Sequence, residues 1–404
     1  MSDAAWGCGK GRRGMRVVAV DRLTPGMRLG RAVFSHVEGH RHPLLAEGMA
    51  IGPGMPAALK RAGVGAVYID DDLSEGIAPL ALLPPEVREE AIGEVTRVFD
   101  HGLCDRQTVR VGSQQLERIQ STVTNVLAAI RASGGIASSL AGLQSFDQYT
   151  LEHSVNVMTL GLAVGDVVMR TDGWSDWRGT QRRDSRDERL TALGVGLLLH
   201  DIGKMAVPAD ILNKPGRLTD EEMAIMREHP TVGVQMVDGE SLSALSRSVI
   251  LSHHERHDGS GYPAGLRGDA IHLHARVAGI VDVYDAMSST RVYSAARPAH
   301  IAWEMVIGMA GQGFALPIVR AFAEAIVPYA EGLTVQLSDG SQAIVARNSP
   351  GRGSRPVVRV ITDPLGRRIT PHEIDLADHA DLAIETGVGD VGDPVGADGQ
   401  AASS

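Results

Sequence analysis

Cysteine is nearly absent: Cys8 and Cys104 are the only two in 404 residues. That excludes a disulfide framework and a cysteine-rich zinc site. Aromatic residues are scarce, at 4%, so the cores must rest on Leu, Val, Ile, Ala and Met. No run of about 18 apolar residues occurs, so no membrane span and no membrane partner are expected. The N-terminal "MSDAAWGCGKGRRGM" has basic residues but no apolar signal-peptide stretch after them, and the expectation is a cytoplasmic protein. An excess of positive charge is missing too. The net charge of −10 argues against a nucleic-acid polymer as partner, which needs a basic surface. One small phosphate pocket with a few local cations stays compatible with it.

What is present is an ordinary globular composition, 43% hydrophobic and 22% charged, over a length suited to about two or three domains. Residues 1–14 read as a flexible Gly/Arg tail. Over 15–85, "MRVVAVDRLTPGMRLGRAVF" carries strand-like Val runs around a Pro-Gly turn, and "AALKRAGVGAVYID" reads as helix, Gly break and strand. This is a small α+β domain without a ligand cluster. From 86 the period turns helical. Leu116, Ile119, Val123, Val126, Leu127 and Ile130 share one helix face, and Gly134 and Gly135 supply a stop. Residues 86–145 form a helical linker region and 146–328 a helical domain. Within it, "RTDGWSDWRGTQRRDSRDE" at 170–188 reads as a polar loop inserted between two buried helices. Residues 329–377 alternate like strands around an Asp339-Gly340 turn, a short β appendage. Residues 378–404, rich in Ala, Gly, Asp and Ser, read as a disordered tail. The fold class is mainly α, with a small N-terminal α+β domain and a short C-terminal β appendage.

Chemistry concentrates in five places of the helical middle: His153 in "YTLEHSVNV", His200 and Asp201 in "LLLHDIGKM", His229 after a helix that opens with a Thr219/Glu222 capping box, His253 with His254, and Asp282 in "AGIVDVYDAMSS". A lone His beside an apolar face is usually a hydrogen-bonded core residue. A buried His-Asp pair is costly unless it is paired or binds metal, and several such sites in one domain weaken independent structural explanations. Five imidazoles and two carboxylates exceed the roughly three or four ligands of a mononuclear zinc site. The set suits two metals about 3.5–4 Å apart, bridged by a carboxylate and a water or hydroxide, the arrangement for phosphoester hydrolysis. A mixed His and carboxylate shell points to iron, manganese or another first-row metal.

His153, "HDIGK" at 200–204, His229, "HHERHDGSGYP" at 253–263 and "DVYDAMSSTR" from Asp282 together resemble the HD-GYP family of bacterial phosphodiesterases over roughly 146–328. The N-terminal "LTPGMRLG" and "GVGAVYID" are similar to a small domain of unknown function that often precedes it. The resemblance implies a helical HD-type metal-dependent phosphohydrolase domain that hydrolyses cyclic di-GMP to pGpG and on to GMP. It implies that His153, His200, Asp201, His229, His253, His254 and Asp282 ligate two divalent ions, iron or manganese, with Asp201 bridging. Lys204 would stand beside the scissile phosphate, and Tyr262, Asp285 and Arg291 would position the dinucleotide. Gly259, Gly261, Tyr262 and Pro263 would shape a loop facing substrate or a partner such as a diguanylate cyclase (GGDEF) domain. A homodimer is a further expectation.

The chain departs from the family pattern at three places. Tyr149 stands where three-metal members tend to carry Glu, hence two metals here. His257 replaces a commoner aromatic, with a loop-packing role favoured over a ligand role. Val292, Tyr293 and Ser294 follow Arg291 where a Pro-Tyr-Lys-like run is usual, so one phosphate-binding cation is lacking. Two other readings compete with catalysis: a non-catalytic cyclic di-GMP sensor that recruits partners, and a phosphohydrolase of another nucleotide.

Overall fold

The computed structural model describes residues 14–37, 40–62, 64–79, 82–103, 111–133, 137–138, 149–175, 178, 180–214, 216–237, 241–289, 297–348 and 351–386. They fall into two compact units, the first holding the described residues of 82–328 and the second those of 14–79 and 329–386.

The second of these units is built from both ends of the chain. The strand Ala66–Asp70 runs between Arg16–Ala19 and Arg28–Leu29 in an antiparallel sheet, and helix α1 (Met55–Arg61) buries Leu59. A five-stranded antiparallel sheet follows, in the order Arg368–Asp375, Val357–Thr362, Gln342–Arg347, Thr334–Leu337, Ile384–Thr386. Asp339 turns the hairpin by accepting from Ser341 N at 2.9 Å. The two ends are stitched together. Val17 N donates to Gly332 O at 2.8 Å, Arg359 donates to Glu75 O at 2.6 Å, and Ile77, Ile344 and Ile361 share one buried cluster. The stretch from 378, expected to lack order, instead supplies Ile384–Thr386, which pairs with Gln336 and Leu337. An apolar residue at 384 next to an open sheet edge accounts for this.

The helical unit contains α2 (Pro85–Leu103), α3 (Ser113–Ala132), α4 (Tyr149–Thr171), α5 (Arg186–Leu199), α6 (Ala209–Leu212), α7 (Asp220–Met226), α8 (His229–Met236), α9 (Ala244–Ser252), α10 (Leu273–Ser288), α11 (Ala299–Gly308) and α12 (Leu316–Ala325). The mainly α expectation is met. All six apolar residues read as one face of α3 are buried. They join a single core with α4, α5, α10 and α12, where Tyr284 and Phe322 meet edge to face at 5.2 Å. The Thr219/Glu222 capping box forms, Glu222 N donating to Thr219 Oγ1 at 3.3 Å and Thr219 N to the Glu222 carboxylate at 2.8 Å. The polar insert lies between α4 and α5 as a short hairpin, Trp174–Ser175 with Gln181–Arg182. Arg189 at the start of α5 stacks on Trp174, its guanidinium carbon 3.3 Å from the ring centre. No helix among the described residues is long and apolar enough to cross a membrane.

Candidate metal centre

Leu197, Leu198 and Leu199 are buried at the end of α5, and that apolar run carries His200 and Asp201 into the interior. Both are about 1% exposed. His229 begins α8, His253 and His254 follow α9, His153 sits just inside α4, and Asp282 lies within α10. The helical core brings these termini and faces together into two groups. Asp201, His229, His253 and His254 place one ligand-type atom each within 4.8 Å of one another, and so do His153, His200 and Asp282. Each group could hold a metal ion.

Asp201 faces both. Its Oδ1 lies 3.4 Å from His229 Nε2 and 3.9 Å from His253 Nε2, while Oδ2 lies 3.3 Å from His200 Nε2 and 3.7 Å from His153 Nε2. Asp282 Oδ1 stands 3.2 Å from His153 Nε2, and its Oδ2 3.9 Å from His254 Nδ1. Lys204 Nζ is 2.5 Å from Asp201 Oδ2.

The donor set fits metal ions. His200 Nε2 and Asp201 Oδ1 are buried and take no hydrogen bond, a costly state unless another partner is intended. Nδ1 of His200 lies 2.7 Å from Leu197 O, and Nδ1 of His229 lies 2.7 Å from Met226 O. His253 Nδ1 lies 3.1 Å from both Val249 O and Ile250 O. A carbonyl can only accept, so each Nδ1 carries the proton and each Nε2 turns its lone pair to the centre.

Protonation follows the same division. Burial pushes His253 well below the ordinary imidazole range, His254 down to about 3, and His229 below its usual value, so all three stand neutral. Burial would raise Asp201, but His200 and Lys204 hold it well below the usual carboxylate range. Asp282 is held down likewise, against its burial, by the hydrogen bond from His153. His153 is different. Burial opposes its charge, yet hydrogen bonds to Asp282 and Asp285 prevail and raise it to about 9.

Around His153 lies a row of polar side chains. Asp285 Oδ2 is 2.7 Å from His153 Nδ1, and Asp285 Oδ1 accepts from Asn156 Nδ2 at 3.1 Å and Ser289 Oγ at 3.2 Å. Arg88 on α2 donates to Asn156 Oδ1 at 3.1 Å and lies 3.9 Å from buried Glu152. Asp285, expected to position substrate, has both oxygens engaged inside the protein. Sequence reasoning missed Asn156, Glu152 and Arg88. Asn156 was findable, since a polar residue three after His153 shares its helix face. Arg88 carried no local signal.

The stretch "HHERHDGSGYP" folds as a pinned loop. The Glu255 carboxylate accepts from Ala264 N at 2.8 Å and Leu266 N at 2.9 Å. Gly259 adopts φ +82°, the region that favours glycine. A Cβ on Gly261 would meet His254 O at 2.4 Å and Arg256 N at 2.5 Å. Tyr262, followed by exposed Pro263, stacks on His254 with ring centres 4.6 Å apart. His257 joins neither group of ligands. Arg291 and Val292, Tyr293 and Ser294 after it lie outside the described residues, as does the side chain of Tyr149.

Residues 177–315 match the HD domain family, and residues 334–388 match a KOW domain associated with HD domain. A cyclic di-GMP phosphodiesterase of Pseudomonas aeruginosa is 35% identical over 253 residues, 62% of this chain and 57% of that protein. A cyclic di-GMP phosphodiesterase of Vibrio cholerae is 42% identical over 131 residues, 31% of this chain and 27% of that protein. A 3'3'-cGAMP-specific phosphodiesterase of the same organism is 43% identical over 97 residues, 24% of this chain and 19% of that protein. The matched part thus spans less than two thirds of each of these relatives. The HD-domain match thus falls within the helical unit that carries the two buried His/Asp clusters. The matched part of the chain is homologous to cyclic di-GMP phosphodiesterases. His153, on α4, lies ahead of the span that matches the HD domain.

Proposed function

We propose that this chain is a metal-dependent phosphodiesterase that opens cyclic di-GMP to pGpG. The observation that carries the reading is a pair of adjacent ligand groups sharing one carboxylate, Asp201. His153, His200 and Asp282 would hold one divalent ion, His229, His253 and His254 the other, with Asp201 between them. Iron or manganese suits this nitrogen and oxygen donor set. When bound, two such ions supply an activated water and neutralise charge on the phosphoryl group.

The chain's own side chains have separate tasks. His200, His229 and His253 keep their Nε2 lone pairs aimed by donating Nδ1–H to the main chain. Lys204, half-buried beside Asp201, offers positive charge to a phosphate oxygen as negative charge builds there. Burial raises the Tyr262 phenol above its ordinary value, so it stays protonated and donates a hydrogen bond to a bound dinucleotide. Arg291 is proposed as a bidentate phosphate contact. The reading takes the protein as cytoplasmic and the Tyr262 loop as the surface for a diguanylate cyclase domain.

A second substrate, 3'3'-cGAMP, is favoured by one finding: a phosphodiesterase named for it is among the similar proteins. Purified protein loaded anaerobically with iron or manganese decides between the two, with products separated by chromatography. Appearance of pGpG from cyclic di-GMP, absent in Asp201→Ala, supports the first reading. Turnover of 3'3'-cGAMP alone replaces it with the second, and no turnover of either with filled sites refutes both.

A further inference from the structure

The three histidines at helix ends are aimed by main-chain carbonyls, whereas His153 is aimed by a chain of side chains. That chain runs from His153 Nδ1 to Asp285 at 2.7 Å, from Asp285 to Asn156 at 3.1 Å, and from Asn156 to Arg88 at 3.1 Å. It crosses three helices, α10, α4 and α2, and its last member lies well before the span that matches the HD domain.

We infer that Arg88 is a positioning residue for the ion held by His153, His200 and Asp282. Arg88 fixes the Asn156 amide by donating to its oxygen, which leaves the amide N–H₂ to donate to Asp285. A fixed Asp285 then holds the plane of the His153 ring. A guanidinium suits the end of such a chain because it donates only and keeps its charge. Without it the Asn156 amide can flip and present its oxygen to the Asp285 carboxylate, two acceptors face to face. Helix α2 would thereby set occupancy of one of the two ion sites and leave the other alone. The inference rests on the two-metal reading above.

The test is a titration of metal-free full-length protein with manganese(II) alone, followed by calorimetry and electron paramagnetic resonance. Wild type is expected to take up two ions with the signal of a coupled pair. Arg88→Ala should keep one ion at unchanged affinity and bind the other about 10–100-fold more weakly, the size of effect of removing an outer partner of a metal ligand. At intermediate metal concentration its signal becomes that of an isolated ion. Asn156→Ala should reproduce this, the double variant should be no weaker than either single one, and Arg88→Lys should recover part of the affinity.

Removing Arg88 also leaves Glu152 buried beside the vacated position, so Arg88→Ala/Glu152→Gln is the control. Continued weak binding there supports the chain through Asn156, and full restoration overturns it. Arg88→Ala that titrates like wild type, or that weakens both ions equally, overturns the inference while leaving the metal reading intact. A wild type that takes up no ion brings down both.

Discussion

The two ligand groups are built on different principles. Asp201, His229, His253 and His254 come from helix ends and the segments just after them, close together in the sequence. In the other group His200 also follows a helix end, but His153 and Asp282 come from inside α4 and α10. The difference follows from the backbone. The last carbonyls of a helix have no intrahelical partner, so a histidine just beyond the end finds an acceptor ready for its Nδ1–H. Leu197 O, Met226 O, Val249 O and Ile250 O fill this role. Within a helix the carbonyls are already taken by the ladder, so His153 needs a carboxylate, and that carboxylate needs partners of its own. The histidines just beyond helix ends thus come almost free with local structure, and His153 depends on distant side chains.

The sharpest way to break the comparison is to remove the residue the groups share. Asp201→Ala is expected to lose both ions by elemental analysis and to reduce turnover by about 10³-fold or more. Retained activity would end the two-metal reading. Next come the single-group variants. His229→Ala and His200→Ala should each bind one ion per chain instead of two, with helical circular dichroism unchanged. Loss of both ions from His229→Ala would show that the groups are not independent.

A smaller effect is expected behind His254. Gly261→Ala forces a Cβ against His254 O and Arg256 N and should cost about 2 kcal/mol, read as a lower Tm with weaker binding at the His229 group only. The smallest effect concerns an imidazole with neither kind of anchor. His274, fully buried near the start of α10, has no hydrogen bond to either ring nitrogen, and burial pushes it down to about 3. The unfolded chain binds a proton there below about 6.5 and the folded chain does not. Its contribution is therefore present above that pH and is lost as pH falls toward 3. In metal-loaded protein, Tm should fall less between pH 7 and 5 in His274→Gln than in wild type; equal slopes would show that His274 takes up its proton in place.

Much of this was legible from local patterns. The apolar face of α3, the capping box of α7 and the run of leucines leading into His200 and Asp201 all follow from helical periodicity and the cost of burying polar groups. Of the seven ligand candidates, His200, Asp201 and Asp282 were visible because they end or interrupt apolar runs, and the others because histidines recur through the same helical domain. Arg88 and Glu152 were not, because a charged residue on an amphipathic helix looks the same whether it meets water or a buried amide. Asp285 was legible by type alone for the same reason: its hydrogen bonds to His153, Asn156 and Ser289 were not visible in the sequence.

The sequence by itself determined which residues are candidates for the chemistry and which helices hold them, since both depend on residue type and short-range spacing. Only the tertiary structure decided how the ligands divide into two groups, that Asp201 faces both, that Arg88 reaches His153 through two intermediaries, and that the two ends of the chain form one unit. Those are contacts between residues tens to hundreds of positions apart. Periodicity and propensity act over a few residues, and such contacts exist only once the helices and sheets have packed.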